Sequence, residues 1–397
     1  MNKKVAFLIS HPIQYLAPLF RKLSSANGIE LTVLYCESYG IEERHHSEVG
    51  TIPAWDIPLL EGYKYKFLKN YSPSPSVFTV FFGLMNLGIV NELRKGEYDV
   101  VIVYGWNYFT NILAVVAAKL FGKKVMLRGD NPLSHELLKP DWKRWIKKGV
   151  LQYGIFKFVD VFLYVGEANK NFYKYYNVPD WKLIFAPHCV ENERFHGEYL
   201  RLKHKRNELR KGLGLNEDGV VVIFVAILID KKRPFDLLRA FEKVESDKKT
   251  LIFVGDGYLR KELEDYVVEK KLKNVYFVGI KNQTELPYYY TMADIFVLPS
   301  GLGETWGLVV NEAMNFELPI IVSDLVGCRE DLVKHGENGF VFKTDDLDEL
   351  AGYMKMLMES EGTRRTFGKK SLEIVRGYSY DRVIAAIEGS VDGVSHT

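Results

Sequence analysis

The chain has 397 residues, 47% of them hydrophobic and 26% charged, with a formal net charge of +2. That length allows two or three domains with cores of their own, the composition is ordinary for a globular protein, and the weak net charge gives no field that points to nucleic acid. Cys36, Cys189 and Cys328 form no C-x-x-C, which argues against a disulfide framework or a zinc cluster and fits a reducing compartment, so the cytoplasm is the expected location.

The first residues, "MNKKVAFLISHPIQY", place Lys3 and Lys4 before an apolar run that stops at Ser10. The run is too short for a secretory signal core and reads as a first β-strand. "LAPLFRKLSS" then puts Leu16, Leu19, Phe20 and Leu23 on one helical face. The strand-like runs "ELTVLY", "DVVIVYG", "KVMLRG", "DVFLYVG" and "KLIFAP" follow, with helical stretches between most of them. Two uncharged stretches invite a membrane reading. Residues 71–91 contain Pro73, Pro75 and Asn86, which leave too short an apolar run to cross a bilayer. Residues 100–118 are interrupted by "YGWNY" and read as a strand, a loop and a helix from about Thr110. No transmembrane segment is expected.

Some loops of this half are candidates for binding. His11 and Gln14 follow the first strand, and Trp106, Asn107 and Tyr108 follow the strand that begins at Val100. They can face a ligand, or be a loop histidine held by backbone and aromatics that pack. In "KPDWKRWIKKGVLQYGIFKF", Trp142, Trp145, Ile146, Val150 and Tyr153 form one stripe, with Lys143, Arg144, Lys147 and Lys148 largely off it. The expected arrangement buries that stripe in the domain. The alternative is a peripheral contact with an anionic membrane at its inner face.

After Pro187 a long charged segment, "ENERFHGEYLRLKHKRNELRKGLGLNEDG", reads as a linker and the first helix of a second domain. Alternation resumes with "VVVIFVA", "TLIFVGD", "NVYFVGI", "DIFVLPS", "PIIVSD" and "GFVF". Strands alternating with helices imply parallel sheets covered on both faces. The fold class is therefore α/β, with two Rossmann-like domains facing across an interdomain cleft. Ligands are expected outside the carboxyl ends of the strands.

Three junctions of the second half stand out. Lys231, Lys232 and Arg233 precede Pro234, a residue suited to the first position of a helix. Cations there make a phosphate site, or merely a solvated charge run. Gly255-Asp256-Gly257 is a tight turn after a strand, which by itself needs no ligand. In "PSGLGETWGLVVNEAM", Glu304 precedes a helix expected to begin between Thr305 and Gly307, and Glu312 lies inside it. Eight residues of helical rise span about 12 Å at most, the reach of a diphosphate with a sugar on either side. The amides of Thr305, Trp306, Gly307 and Leu308 lie between. A helix-start acid is favourable in itself, but Glu312, among Val309, Val310, Ala313 and Met314, needs a partner.

The ordered series "AILIDKKRP", "LIFVGDGYLRKEL", "NVYFVGIKNQTELPYYYTMADIFVLPS" and "GETWGLVVNEAM" resembles the retaining glycosyltransferases of the GT-B fold, family 4 (glycosyl transferases group 1). It covers roughly residues 220–324. "APHCVENERF" sits where that family closes its N-terminal domain. The resemblance implies an acceptor domain at 1–195, a donor domain at 196–377 and a helix at 378–397 that returns to the first. It implies that Glu312 holds the ribose hydroxyls of a nucleotide, that Glu304 lies beside the transferred sugar, and that Lys232 grips the diphosphate. Arg233, Asp256 and the amides of Thr305, Trp306, Gly307 and Leu308 join that donor set, and Gly279 and Ile280 meet the nucleobase through the main chain.

The chain also departs from the family. Ala226-Ile227 stands where relatives usually carry Gly followed by Arg or Lys. Losing one hydrogen bond to a charged group costs about 1.5–3 kcal/mol, or roughly 10- to 100-fold in donor binding or catalysis. Arg128 and Asp130 stand where many relatives have His-Asp. Arg128 is therefore placed with Glu304 and Lys232 as catalytic, and Asp130 with His11, Gln14 and Asn107 on the acceptor side. The implied reaction moves a hexose from a UDP-, GDP- or ADP-sugar to a glycan or lipid-linked acceptor with retention, without cofactor or metal. Asp346-x-Asp348 is read as a helix start rather than a metal motif. The alternatives are a catalytically silent GT-B protein that binds a glycan or partner enzyme, and a GT-B nucleotide-sugar epimerase or hydrolase.

Overall fold

A computed structural model of the chain describes residues 2–42, 44–46, 50–52, 54–78 and 81–393. Contacts divide it into two compact units. The first comprises Met1–Glu42, Ile57–His188 and Tyr380–Thr397; the second comprises Glu43–Asp56 and Cys189–Ser379.

In the first unit the described residues form a seven-stranded sheet. Its spatial order is Lys64–Phe67, Ile29–Tyr35, Lys3–Ile9, Val100–Tyr104, Lys124–Gly129, Val161–Tyr164 and Leu183–Phe185. Each neighbouring pair is parallel, with Val5 opposite Leu31 on one side and Val100 on the other. The central strand is buried from Val5 to Ile9. That is why its sequence is continuously apolar instead of alternating: a parallel strand with helices on both faces has no solvent side. Leu16, Leu19, Phe20 and Leu23 are all buried around helix Ala17–Ser24, as their spacing requires.

The terminal helix Tyr380–Asp392 is part of this unit. Tyr380 Oη donates to the Tyr15 carbonyl (2.8 Å) and Lys124 Nζ to the Ser390 carbonyl (2.6 Å). The Arg382 guanidinium lies 5.0 Å from the centre of the Phe185 ring.

The second unit holds a six-stranded parallel sheet in the order Val275–Phe277, Lys249–Val254, Val220–Val225, Ile295–Leu298, Ile320–Ser323 and Gly339–Phe342. Helices Pro234–Lys243 and Leu347–Glu359 pack on it and on each other. Residues 43–56 also join this unit. Arg44–His46 pairs antiparallel with Gly50–Ile52, after which Asn282 Nδ2 donates to the Ala54 carbonyl (2.7 Å) and the Thr284 amide to Asp56 Oδ2 (3.1 Å). The segment carries no apolar periodicity that would reveal this attachment.

Among the described residues no helix is long and apolar enough to cross a membrane. Residues 100–118 resolve into strand Val100–Tyr104 and helix Phe109–Leu120. Asp346 caps helix Leu347–Glu359 by accepting from the Glu349 amide, and Asp348 pairs with Lys243 at the same helix start.

Candidate functional site

Taken in chain order, the strands of the second unit lie 3-2-1-4-5-6. The order reverses between Val220–Val225 and Ile295–Leu298, so the loops leaving their carboxyl ends part toward opposite faces and open a crevice. Those loops are 226–233 and 299–307, the first and third junctions singled out above. The Gly301 amide donates to the Lys231 carbonyl at 2.8 Å. A Cβ at Gly301 would meet Arg233 Cδ at 3.2 Å, and one at Gly303 would meet Lys231 Cε at 3.3 Å. Small residues thus let the two loops lie against each other.

Across this contact Lys232 Nζ donates to Glu304 Oε2 in a salt bridge, with Glu304 buried. Burial alone would raise the Glu304 carboxyl. The charge and hydrogen bond of Lys232, then the charge of Lys231, outweigh it and hold the group below its ordinary range. Glu304 is therefore an ionised acceptor at neutral pH.

The following helix is Leu308–Met314, capped by Gly307 in the left-handed region at φ 94. Its first residue is one later than the expected range, because the carbonyls of Glu304 and Trp306 are taken by the next loop. The Gly327 amide donates to the Glu304 carbonyl (3.0 Å) and the Cys328 amide to the Trp306 carbonyl (3.1 Å). A Cβ at Gly327 would lie 1.8 Å from the Thr305 carbonyl oxygen, so this approach needs glycine. The amides of Thr305 and Trp306 thus precede the helix, while Leu308 opens it. Trp306 points inward, its Nε1 donating to Asn311 Oδ1 at 2.9 Å.

Glu312 is fully buried, and both oxygens accept hydrogen bonds: Oε2 from Tyr290 Oη (2.7 Å), Oε1 from Gln283 Nε2 (3.4 Å). The partner that its position demanded is thus supplied by residues whose role the sequence gave no local cue to.

On the other side of Val220–Val225 the backbone closes tightly. The Gly255 amide donates to the Gly279 carbonyl at 2.9 Å, and a Cβ at Gly255 would lie 2.0 Å from the Ala226 carbonyl oxygen. Ala226, Gly255, Gly279 and the half-buried Ile280 thus share the carboxyl edge of the sheet. Asp256 is turned to its own helix: Oδ1 accepts from the Gly257 amide and Oδ2 from Arg260 Nη1, both at 2.8 Å. Arg260 was not singled out, although its i+4 spacing from Asp256 was a signal. Arg233, left-handed at φ 52, caps helix Pro234–Lys243 and pairs with Asp236 and Asp345.

The first unit shows the same reversal, between Lys3–Ile9 and Val100–Tyr104. His11 and Gln14 lie on the loop after the one, and Asn107 on the loop after the other. The His11 ring stands edge-on to Tyr39, with Nδ1 2.9 Å from Ser10 Oγ, and burial pushes its pKa down to about 4. Gln14 is half-buried and Asn107 exposed. Their aromatic neighbours are structural. Trp106 is buried and stacked on Phe172 with centroids 5.5 Å apart, and Tyr108 Oη donates to the Val77 carbonyl.

Arg128 is buried, with Nη1 on the Ala186 carbonyl (2.6 Å) and Nη2 on the Pro187 carbonyl (2.9 Å). It ties two strand ends together. Asp130 lies 3.7 Å from His188 Nε2, which is also 3.4 Å from Tyr104 Oη. His188, buried and with its pKa lowered by burial, went unnoticed in the sequence. Its signal was its place in "APHCV", directly after a strand.

Known proteins resemble this chain in sequence and in fold. Residues 205–373 match the family model described as glycosyl transferases group 1. An uncharacterised glycosyltransferase of Methanocaldococcus jannaschii is 29% identical over 177 residues, 44% of this chain and 45% of that one. Sulfoquinovosyl transferase of Arabidopsis thaliana is 27% identical over 192 residues, 48% and 35% of the two chains. The alpha-galactosylglucosyldiacylglycerol synthase of Streptococcus pneumoniae is 25% identical over 252 residues, 60% and 63%. Such alignments span about half the length of the curated relatives. Among solved structures, Anabaena HepE in complex with UDP and glucose has a TM-score of 0.72 at 17% identity, covering 99% of this chain and 100% of that one. WaaG, a glycosyltransferase of lipopolysaccharide biosynthesis, has a TM-score of 0.65 at 14% identity, covering 99% and 100%. At these identities the structures show the fold, which is GT-B.

Proposed function

We propose that this chain, whose residues 205–373 match the glycosyl transferases group 1 family, is a retaining glycosyltransferase, moving a hexose from a nucleotide diphosphate-sugar to a glycan or lipid-linked acceptor. The observation that carries this reading is the Lys232–Glu304 pair at the switch point of the second sheet. It sets a cation and an ionised carboxylate side by side just before the opening amides of a helix.

In the reaction the bond between the anomeric carbon and the diphosphate oxygen breaks. The bond to the acceptor oxygen forms on the same face, and the acceptor proton passes to the departing phosphate. Negative charge grows on the diphosphate, and a preorganised cation there is worth most when water is excluded. Lys232, with Lys231 beside it, supplies that charge. Glu304 accepts from sugar hydroxyls and fixes the ring, so that the reacting atoms meet without searching. Gly279 and Ile280 offer main-chain groups to the base. Glu312 reaches the ribose only with oxygens that already accept from Tyr290 and Gln283, so those two residues aim it. The donor in the Anabaena structures, one of them holding UDP-glucose, supports a UDP-hexose first. The diacylglycerol in the name of the Streptococcus relative supports a lipid-linked acceptor.

The test is nucleotide release from UDP-, GDP- and ADP-hexoses, each offered with glycan and lipid-linked acceptors. Release with one donor, and retained anomeric configuration in the product, is expected. A second reading, a silent protein that binds a glycan, draws on one feature: Ile227 is 38% exposed where the resemblance implies a basic residue. No release from any donor, together with tight glycan binding, would replace the first reading with the second.

A further inference from the structure

The segment after strand Lys124–Gly129 is built the wrong way round for water. Helix Asp141–Lys148 continues into a wide-turn helix, Gly149–Ile155. Trp142, Trp145, Ile146, Val150 and Tyr153 are 62, 79, 52, 54 and 70% exposed, and Leu137 and Leu138 just before them are exposed as well. The expectation that this stripe packs inside the domain is overturned.

What the helix buries instead is charge. Glu136, 2% exposed, accepts from Lys139 Nζ (2.8 Å), Lys147 Nζ (2.7 Å) and Tyr176 Oη (2.8 Å). Lys147 Nζ also lies 5.1 Å from the centre of the Phe172 ring. Leu151 and Ile155 are buried and anchor the far end. This fastening decides where the aromatic stripe points. A roll of the helix that buried Trp145 would pull Lys147 away and leave a buried carboxylate with one of its two cations, which is costly. The exposure is therefore fixed by the fold.

Single apolar side chains on a surface need no explanation, but a contiguous patch of this size does. Its surroundings select the occupant. Of the six basic side chains in residues 139–157, Lys139 and Lys147 are held by Glu136 and Arg144 by Asp141, so Lys143, Lys148 and Lys157 carry the excess positive charge of the patch. Lys143 lies over the Trp142 ring and Lys148 over Tyr175, at 5.4 and 5.5 Å, so aliphatic stems run along aromatic faces with the charges at the edge. A second copy of this chain would set the same positive rim against itself. The headgroup layer of a bilayer suits both features, taking amphipathic rings at its depth and lysines at its phosphates. We infer that residues 137–153 are a docking surface for a lipid bilayer with anionic headgroups, seated by Trp142, Trp145 and Tyr153. Vesicle binding is read without donor or acceptor, so the inference stands or falls apart from the transfer reaction.

The experiment is flotation of the full chain with phosphatidylcholine vesicles, with and without phosphatidylglycerol, at low and high salt. Binding to the anionic vesicles that weakens with salt is expected. The double variant Trp142→Ala/Trp145→Ala loses about tenfold or more in partitioning. Lys143→Glu, which leaves the rings in place, also weakens binding to the anionic vesicles. Both variants keep the circular dichroism of the parent. Three results would overturn the inference: no binding to either vesicle, variants that bind as the parent does, or a dimer in sedimentation velocity that Trp145→Glu splits.

Discussion

The two sheets share one topology up to their sixth strand, yet their switch points are furnished in opposite ways. At the second unit's, Lys231, Lys232 and Glu304 bring charge to the crevice, and glycines at 301, 303 and 307 let backbone approach. In the first unit's switch-point loops, 10–16 and 105–108, the one Asp, Glu, His, Lys or Arg is His11, which burial keeps neutral above a pKa of about 4, and Arg128 on the next strand is spent on the carbonyls of Ala186 and Pro187. A charged crevice suits a diphosphate, whereas a neutral one suits hydroxyls. The same strand order therefore leaves chemistry to the loops, and the proposed division between donor and acceptor rests on electrostatics rather than topology.

The largest effect that sharpens this contrast comes from cutting the charged pair. Lys232→Ala leaves Glu304 buried without its cation. Breaking such a pair from one side costs about 3–5 kcal/mol of stability, and losing the transition-state contact costs about 10²–10³ in kcat. Chemical denaturation and turnover separate the two losses. The double variant Lys232→Met/Glu304→Leu recovers most of the stability but none of the rate. If Lys232→Ala turns over at the parent rate, the charged crevice is not where the leaving group sits.

The neutral crevice has its own signature. The His11 pKa falls from 6.5 to about 4 on folding. The unfolded chain therefore binds a proton that the native one refuses. The stabilisation is complete above pH 6.5 and is lost as pH falls toward 4, by about 3 kcal/mol. His11→Gln, compared with the parent by urea denaturation at pH 7 and pH 4, should flatten that part of the profile. An unchanged slope would mean that His11 charges freely and that the first crevice is not neutral.

A gain of function comes next. Ile227→Arg places a cation on the half-exposed side chain beside Lys231 and Lys232, where the family pattern has one. A hydrogen bond to a charged group contributes about 1.5–3 kcal/mol, so donor KM should fall roughly tenfold or more. Calorimetry with the nucleoside diphosphate gives an independent reading. No change in either would show that the chain has rebuilt its diphosphate contact elsewhere.

Much of this was legible in the sequence, and the misses have physical causes. Buried parallel strands write themselves as unbroken apolar runs, so "VAFLIS" and "VVVIFVA" were readable, as was Pro234 at a helix start. The start of the helix after Glu304 was misplaced because pairing of Glu304 and Trp306 with Gly327 and Cys328 is a long-range event that leaves no local mark. For Trp106 ligand and packing stay open alternatives in the sequence, because an aromatic in a loop looks the same whether it meets ligand or Phe172. The Trp142–Tyr153 stripe was assigned to the core because amphipathicity says that a helix has two faces, not which one the domain holds. That choice was made by Glu136, a buried acid five residues before the helix.

The smallest effect concerns the carboxylate that the sequence left without a partner. Tyr290→Phe keeps the ring, which stacks on Phe316 at 5.1 Å, and removes only the hydroxyl that donates to Glu312. One buried acceptor loses a donor, at a cost of about 1–2 kcal/mol. If Glu312 holds a ribose, that loss divides in a particular way. With its rotamer less firmly set, the carboxylate binds nucleoside diphosphate more weakly, and the free enzyme also melts lower. If Glu312 is only a core acid, the variant melts lower and binds the nucleotide as before. Measuring both on the same preparation decides between them, because either role lowers the melting point and only a ligand-holding role moves the affinity.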